Sequence, residues 1–283
     1  MTRPDGSSAV RVRGLSKAYG QLSAVQDLDL DVRYGEIFAI LGPNGAGKST
    51  TIEILEGHRR RDAGIVRVLG DDPGTAGRGW RARIGIVLQE ASDAGMLTVS
   101  ETVDMFTKCY GKARLPEETL ELVGLTAVSQ ARVRSLSGGQ RRRLDVALGI
   151  IGMPELLFLD EPTTGFDPDA RRRFWDLIKR LASDGTTILL TTHYLEEAAA
   201  LADRVAVLAG GRVVAVDSPS RLTAYVKSAA TVRWMEGDEM HEEETDRPTE
   251  FIRQRSQHGA ELDQLTVSRP TLEDAYLRLI GEA

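Results

Sequence analysis

The chain has 283 residues, 41% of them hydrophobic and 28% charged, a balance that permits a sizeable core and excludes a chain disordered throughout. Its 42 Asp and Glu outnumber 36 Lys and Arg for a formal charge of -6, which disfavours a nucleic-acid binder, since such proteins usually carry a basic excess. One cysteine, Cys109, can form neither an intrachain disulfide nor a thiolate metal site and fits a reducing compartment; no segment nears the ~18 apolar residues of a membrane span, and residues 1–8 hold no apolar signal core.

In chain order, Val10 and Val12 alternate with Arg11 and Arg13, and Leu28, Leu30 and Val32 with Asp27, Asp29, Asp31 and Arg33. Both period-two patterns predict half-buried strands. Ile37–Leu41 is a continuous apolar run, as expected of a strand covered on both faces, and a Gly-rich turn and a helix over 48–56 come after it. Further short apolar runs at 84–88, 156–159, 188–190 and 205–208 are separated mostly by helical segments, which predicts an α/β fold with a mainly parallel core sheet and an antiparallel β part.

Residues 90–154 change character. Thr98-x-x-Glu101 forms a capping-box pattern leading a helix toward Tyr110, and 116–123 and 138–151 predict two more helices, together a helical insertion. Asp167-Pro168 opens another helix, on which Phe174, Leu177, Ile178 and Leu181 share one face. Residues 141–143, three arginines, predict a solvated helix face, with phosphate or intersubunit pairing as the alternative.

Beyond residue 222 the composition shifts. Seven acids crowd residues 236–246, predicting a solvated acidic loop, with an acidic binding element as the alternative. Strand-like 231–235 and 262–267 and helix-like 248–257 and 271–280 surround it. The expected domains are 1–222, with the helical subdomain at about 90–154, and a small C-terminal α/β domain at 223–283.

One motif carries chemistry by itself, and a second, which alone would read as a solvated strand end, gains meaning beside it. Gly42-Pro43-Asn44-Gly45-Ala46-Gly47-Lys48-Ser49-Thr50 fits G-x-x-x-x-G-K-[ST] between a buried strand and a helix, the setting of a phosphate-binding P-loop. Its glycines let the backbone wrap phosphate oxygens at a helix N-terminus, Lys48 reaches the β- and γ-phosphates, and Ser49 ligates Mg²⁺. At 156–161 an apolar strand delivers two acids, Asp160 to hold Mg²⁺ and Glu161 to act as general base on water attacking the γ-phosphate.

With Leu136-Ser137-Gly138-Gly139-Gln140, the set resembles the ATP-binding-cassette (ABC) ATPase family over about residues 8–220, in the order P-loop, glutamine loop, signature, Walker B acids, aspartate loop and switch histidine. The resemblance implies a P-loop NTPase cassette in which Tyr19 stacks on adenine. Gln89 senses Mg²⁺ and the attacking water and couples to a membrane partner, and His193 contacts the γ-phosphate. Ser137, Gly138, Gly139, Gln140 and Asp167 act in trans on ATP held by a second subunit. Phe166 stands where the aspartate loop more often has leucine.

The stretches 140–145, 161–168, 192–197 and 269–281 further resemble the daunorubicin-resistance-like branch of drug and polysaccharide exporters. That implies an ATPase subunit pairing with its own copy beneath a separately encoded permease, at the cytoplasmic face of the cell membrane, and using ATP and Mg²⁺. The alternative is a non-transport ABC ATPase acting on ribosome or DNA complexes. A single cassette, no sustained heptads and the acidic balance disfavour it.

Overall fold

In a computed structural model the chain is described over residues 8–87, 95–225, 230–237, 239–256 and 262–281. It divides into two compact units, Met1–Val216 and Asp217–Ala283. The first unit runs β1 (Ser8–Tyr19), β2 (Leu22–Arg33), β3 (Ile37–Leu41), α1 (Lys48–Leu55), β4 (Ala63–Val68), α2 (Arg78–Arg81), β5 (Ile84–Val87), α3 (Val99–Thr107), α4 (Pro116–Leu122), α5 (Gly138–Ile150), β6 (Leu156–Asp160), α6 (Pro168–Ser183), β7 (Thr187–Thr192), α7 (Leu195–Leu201), β8 (Arg204–Ala209) and β9 (Arg212–Asp217). The second contains α8 (Pro219–Tyr225), β10 (Ala230–Glu236), β11 (Glu239–Thr245), α9 (Pro248–Arg255), β12 (Asp263–Ser268) and α10 (Leu272–Gly281).

The main sheet has the order β5-β6-β7-β3-β8-β9, and its first five strands pair parallel. All residues of β3 and β7 are buried, which is why they read as unbroken apolar or threonine-flanked runs rather than alternating ones. A second, antiparallel sheet, β2-β1-β4, shows the alternation: Val10, Val12, Leu28, Leu30 and Val32 face inward. Both sheets contribute to one core with Phe38, Ile40, Ile52, Leu55 and Phe158. Each such side chain contributes about 1.5–3 kcal/mol when fully buried.

The mixed α/β class, with a parallel core, an antiparallel part and a helical insertion, is therefore as the sequence reads. The insertion's first helix carries the expected capping box: Thr98 Oγ1 accepts from Glu101 N at 3.2 Å and Glu101 Oε2 accepts from Thr98 N at 2.8 Å. It stops at Thr107, short of Tyr110. The insertion packs its α5 directly on β5, where a Cβ built on Gly85 would lie 2.2 Å from the Gly149 carbonyl oxygen.

Parallel strand direction positions the chemistry. Strands β6, β7 and β3 are neighbours, with Asp160 opposite Thr191 and Leu41 opposite Thr192. The P-loop after β3, the acids ending β6 and His193 after β7 therefore leave from one edge, where open α/β sheets bind ligands.

In the second unit, β11-β10-β12 form an antiparallel sheet. The acidic stretch is not a loop: residues 239–245 are strand β11. They pair with β10 in a register that sets Glu242 opposite Arg233, bonded at 2.8 Å, and stacks His241 on Trp234 at 5.4 Å. Glu242, Glu243 and Glu244 remain exposed, so the acids are solvated on a strand that its partner β10 holds in place.

Candidate functional site: a phosphate-binding cavity at the strand edge

The loop between β3 and α1 owes its path to glycine. Gly47 has φ +97°, and a Cβ there would meet the Ala24 carbonyl oxygen at 2.4 Å. Thr51 locks the next turn, its N and Oγ1 both donating to the Gly47 carbonyl, at 2.9 and 2.8 Å. Lys48 is buried, with Nζ donating to the carbonyls of Gly42 at 2.9 Å and Pro43 at 3.2 Å. Burial pulls its pKa below the ordinary lysine value, while the nearby charges of Glu161 and Asp160 oppose that shift.

A cavity of about 420 Å³ brings together Tyr19, Lys48, Ser49, Thr50 and Glu161, with Asn44, Gly45 and Gly47 also in its wall. Tyr19 is framed by two ion-paired cations. Lys17 Nζ lies 5.6 Å from the ring centroid and 2.6 Å from Asp62, and the Arg59 guanidinium lies 5.2 Å from the ring and pairs with Glu53. Of the remaining P-loop positions, Gly42 and Ala46 are buried and Pro43 is exposed.

Asp160 ends β6 and accepts a hydrogen bond on Oδ1 from the Thr191 hydroxyl of β7. Glu161 comes next with φ +43°, a left-handed conformation rare for a non-glycine residue, and its N–H donates to Thr191 O and Oγ1, both at 3.1 Å. Its Oε2 stands 3.2 Å from His193 Nδ1. The structure thus joins Lys48, Ser49, Asp160, Glu161 and His193 at one edge. Gln89 lies outside the described residues.

Ser137, Gly138, Gly139 and Gln140 are not in that cavity's wall. They open α5, where Ser137 Oγ accepts from Gln140 N at 3.3 Å and Gln140 Oε1 accepts from Ser137 N at 2.9 Å. Ser137 and Gly138 are exposed. Asp167 is also exposed and caps α6, accepting from Ala170 N at 2.8 Å. That backbone bond holds its carboxyl below the usual range. A Cβ on Gly139 would touch Ala170 Cβ at 3.6 Å, so the two helix starts lie side by side.

The arginine run departs from the expected solvated face. Arg142 is 8% exposed, and its Nη2 and Nε donate to the carbonyls of Asp160 and Pro162 at 2.8 and 3.0 Å. Arg143 also turns inward, donating to the Gly124 carbonyl at 2.9 Å. Desolvation pulls the Arg142 pKa down, opposed by Asp145, Asp160 and Glu197. A run of three charges conceals this, because consecutive helical residues point ~100° apart and the middle one can face the core.

A second cavity, of about 480 Å³, is bordered by Glu56, His58, Trp80, Phe106 and Tyr110. Glu56 is 4% exposed, and burial first, then Asp160 and Glu53, raises its pKa from 4.5 to about 8. A folded-state value above the unfolded one contributes stability that is complete below about pH 4.5 and is lost as pH rises to about 8. At ~1.4 kcal/mol per unit the loss is on the order of a few kcal/mol. Glu56→Gln is therefore expected to melt progressively higher than the unmodified chain between pH 5 and 8, in paired thermal scans. A melting difference that does not change with pH would refute the assignment.

The chain is similar to known proteins over most of its length. The ABC transporter family profile matches residues 25–164. The daunorubicin resistance ATP-binding protein DrrA2 of Streptomyces coeruleorubidus is 38% identical over 96% of this chain and 95% of its own length. The Nod factor export ATP-binding protein I of Ralstonia nicotianae is 43% identical over 76% of this chain and 68% of its own. Among solved structures, the dimeric ATP-binding cassette MJ0796, in a post-hydrolysis state bound to ADP and Pi, superposes with a TM-score of 0.67 at 25% identity, covering 74% of this chain and 98% of that one.

Proposed function

The chain belongs to the ABC transporter family, and from that membership we propose that it is the ATP-binding and ATP-hydrolysing subunit of an exporter of drugs or other small or lipid-linked molecules. It works as a pair with a second copy, beneath a separately encoded permease at the cytoplasmic face of the membrane. The observation that carries the reading is that Lys48, Ser49 and Glu161 line one cavity, with Asp160 and His193 next to Glu161 at the same strand edge, while Ser137–Gln140 and Asp167 lie at the adjoining starts of α5 and α6. No helix among the described residues is long and apolar enough to cross a membrane, and the reading assigns the pore to another chain.

Within each copy, Tyr19 stacks on adenine and the Gly42–Thr50 backbone with Lys48 holds the β- and γ-phosphates. The Ser49 hydroxyl and the Asp160 carboxylate are hard oxygen donors suited to Mg²⁺, with Gln89 as the third candidate. When bound, that ion neutralises phosphate charge. Glu161 takes the proton of the attacking water, and His193, 3.2 Å from it, contacts the γ-phosphate side. The second copy supplies Ser137, Gly138, Gly139 and Gln140, at a helix start that presents N–H groups to an anion, and Asp167, whose carboxylate caps its own helix beside them. The unit Asp217–Ala283 is an accessory, regulatory or pair-stabilising element.

Gly139→Asp tests the pairing. It adds a negative charge where phosphate is to be met across the pair, outside the wall that holds this chain's own Lys48. ATP turnover is expected to fall to background, with nucleotide binding by the monomer changed by less than about 3-fold, under ~1 kcal/mol. Loss of ATP binding by the isolated monomer would place this segment in its own chain's site instead.

A further inference from the structure

The backbone at Glu161 is the unusual feature of the reacting edge. Its φ of +43° is a conformation that a non-glycine residue keeps only where the surroundings enforce it. Thr191 secures the Glu161 N–H from the β7 side. On the other side, one guanidinium spans the residue: Arg142 Nη2 bonds the Asp160 carbonyl at 2.8 Å and Nε bonds the Pro162 carbonyl at 3.0 Å. The two carbonyls flanking the base are thus held by a single rigid fork, a geometry arginine offers and lysine does not.

Arg142 belongs to α5, five residues after the N-cap Ser137, in a helix of 13 residues closed by a capping box. Ser137–Gln140 and the Arg142 fork are parts of one stiff element. A displacement of the helix start therefore reaches the Glu161 backbone without an intervening loop.

We propose that Arg142 is a positioning residue that couples the two ATP sites of the pair: engagement of Ser137–Gln140 by ATP on the second copy sets, through α5 and the Arg142 fork, the orientation of Glu161 in this copy. The inference rests on the proposed pairing of two copies. It gives the signature segment a second task, reporting the partner's nucleotide to its own chain's base. Physical continuity alone does not establish coupling, so the test must measure coupling.

Arg142→Lys keeps the charge and loses the fork; Arg142→Gln keeps a donor and loses the charge. Hydrolysis by the full chain is followed as a function of ATP concentration, alongside monomer nucleotide binding and thermal melting. The expected result is a kcat lower by about 10-fold or more, monomer binding within about 3-fold of the unmodified chain, and a Hill coefficient that drops from above 1 toward 1. In a Glu161→Gln background, adding Arg142→Lys is expected to change the residual rate by less than about 2-fold, because the residue acts through the base. The same loss in both backgrounds would reduce Arg142 to a fold-stabilising role and overturn the proposal. So would a Hill coefficient of 1 in the unmodified chain, or unchanged kcat and cooperativity in whichever Arg142 variant folds. Normal turnover in Gly139→Asp instead overturns the pairing itself, which separates failure of the premise from failure of the inference.

Discussion

Lys48→Ala is expected to weaken ATP binding by at least about 10–100-fold, the equivalent of losing one charge-assisted contact of ~1.5–3 kcal/mol, and to remove measurable turnover. The ammonium is buried at the start of α1 and is held by the Gly42 and Pro43 carbonyls in the loop between β3 and α1. Its charge also faces Glu161 and Asp160, whose fields favour the protonated lysine. Removing it leaves two carboxylates near the γ-phosphate position with one cation fewer to compensate them. The loop itself should survive, because Gly47 and Thr51 close the first turn without Lys48. Titration with ATP and a phosphate-release assay, with melting temperature as a folding control, decide the matter. Turnover equal to that of the unmodified chain would remove Lys48 from the phosphate site.

The P-loop and the acids of this strand edge were legible from sequence because each is specified locally, whereas His193 was legible only through the resemblance of the whole motif set. Ile37–Leu41 and Leu156–Asp160 are apolar runs that read as buried strands, and each leads into a chemically distinctive segment: glycines with a lysine in one case, paired acids in the other. Parallel pairing then forces the two ends together, so adjacency in space comes from the pattern of elements. The capping residues Thr98 and Asp167 were legible for the same reason, since a cap acts within four residues.

The contacts that escaped depend on long-range partners. Arg142 bonds carbonyls 18 and 20 residues away, and Thr191 reaches Asp160 across 31. Nothing in an Arg-Arg-Arg run or a threonine-rich strand end announces those contacts. Strand β11 escaped because glutamate disfavours strands intrinsically; pairing with β10 and the Trp234–His241 stack overrides that preference. Strand β4 escaped too, since only Val66 and Val68 of its six residues are buried and the alternation covers too few positions to register.

Glu161→Gln is expected to separate binding from hydrolysis. The side chain lies in the wall of the same cavity as Lys48 and Ser49. The Thr191 hydroxyl donates to the Asp160 carboxylate, whereas the Glu161 carboxylate meets His193 Nδ1 and the Thr164 hydroxyl through Oε2, which leaves Oε1 for water. Glutamine keeps the size and can still sit 3.2 Å from His193 Nδ1, so the local packing is retained. The left-handed backbone, fixed by Thr191 and Arg142, is likewise untouched. The basic charge alone disappears. A positioned general base contributes about 10²–10⁴-fold to rate, so phosphate release should fall by that factor. ATP binding should persist or tighten, because a negative charge next to the γ-phosphate has been removed, and the ATP-bound pair should accumulate in size-exclusion chromatography with Mg-ATP. Phosphate release within a factor of a few of the unmodified chain would eliminate Glu161 as the base. Slow release with no ATP-dependent pair would keep the base and count against a site shared between two copies, because a stalled, nucleotide-loaded chain has no other reason to remain a monomer if its signature segment completes the partner's site.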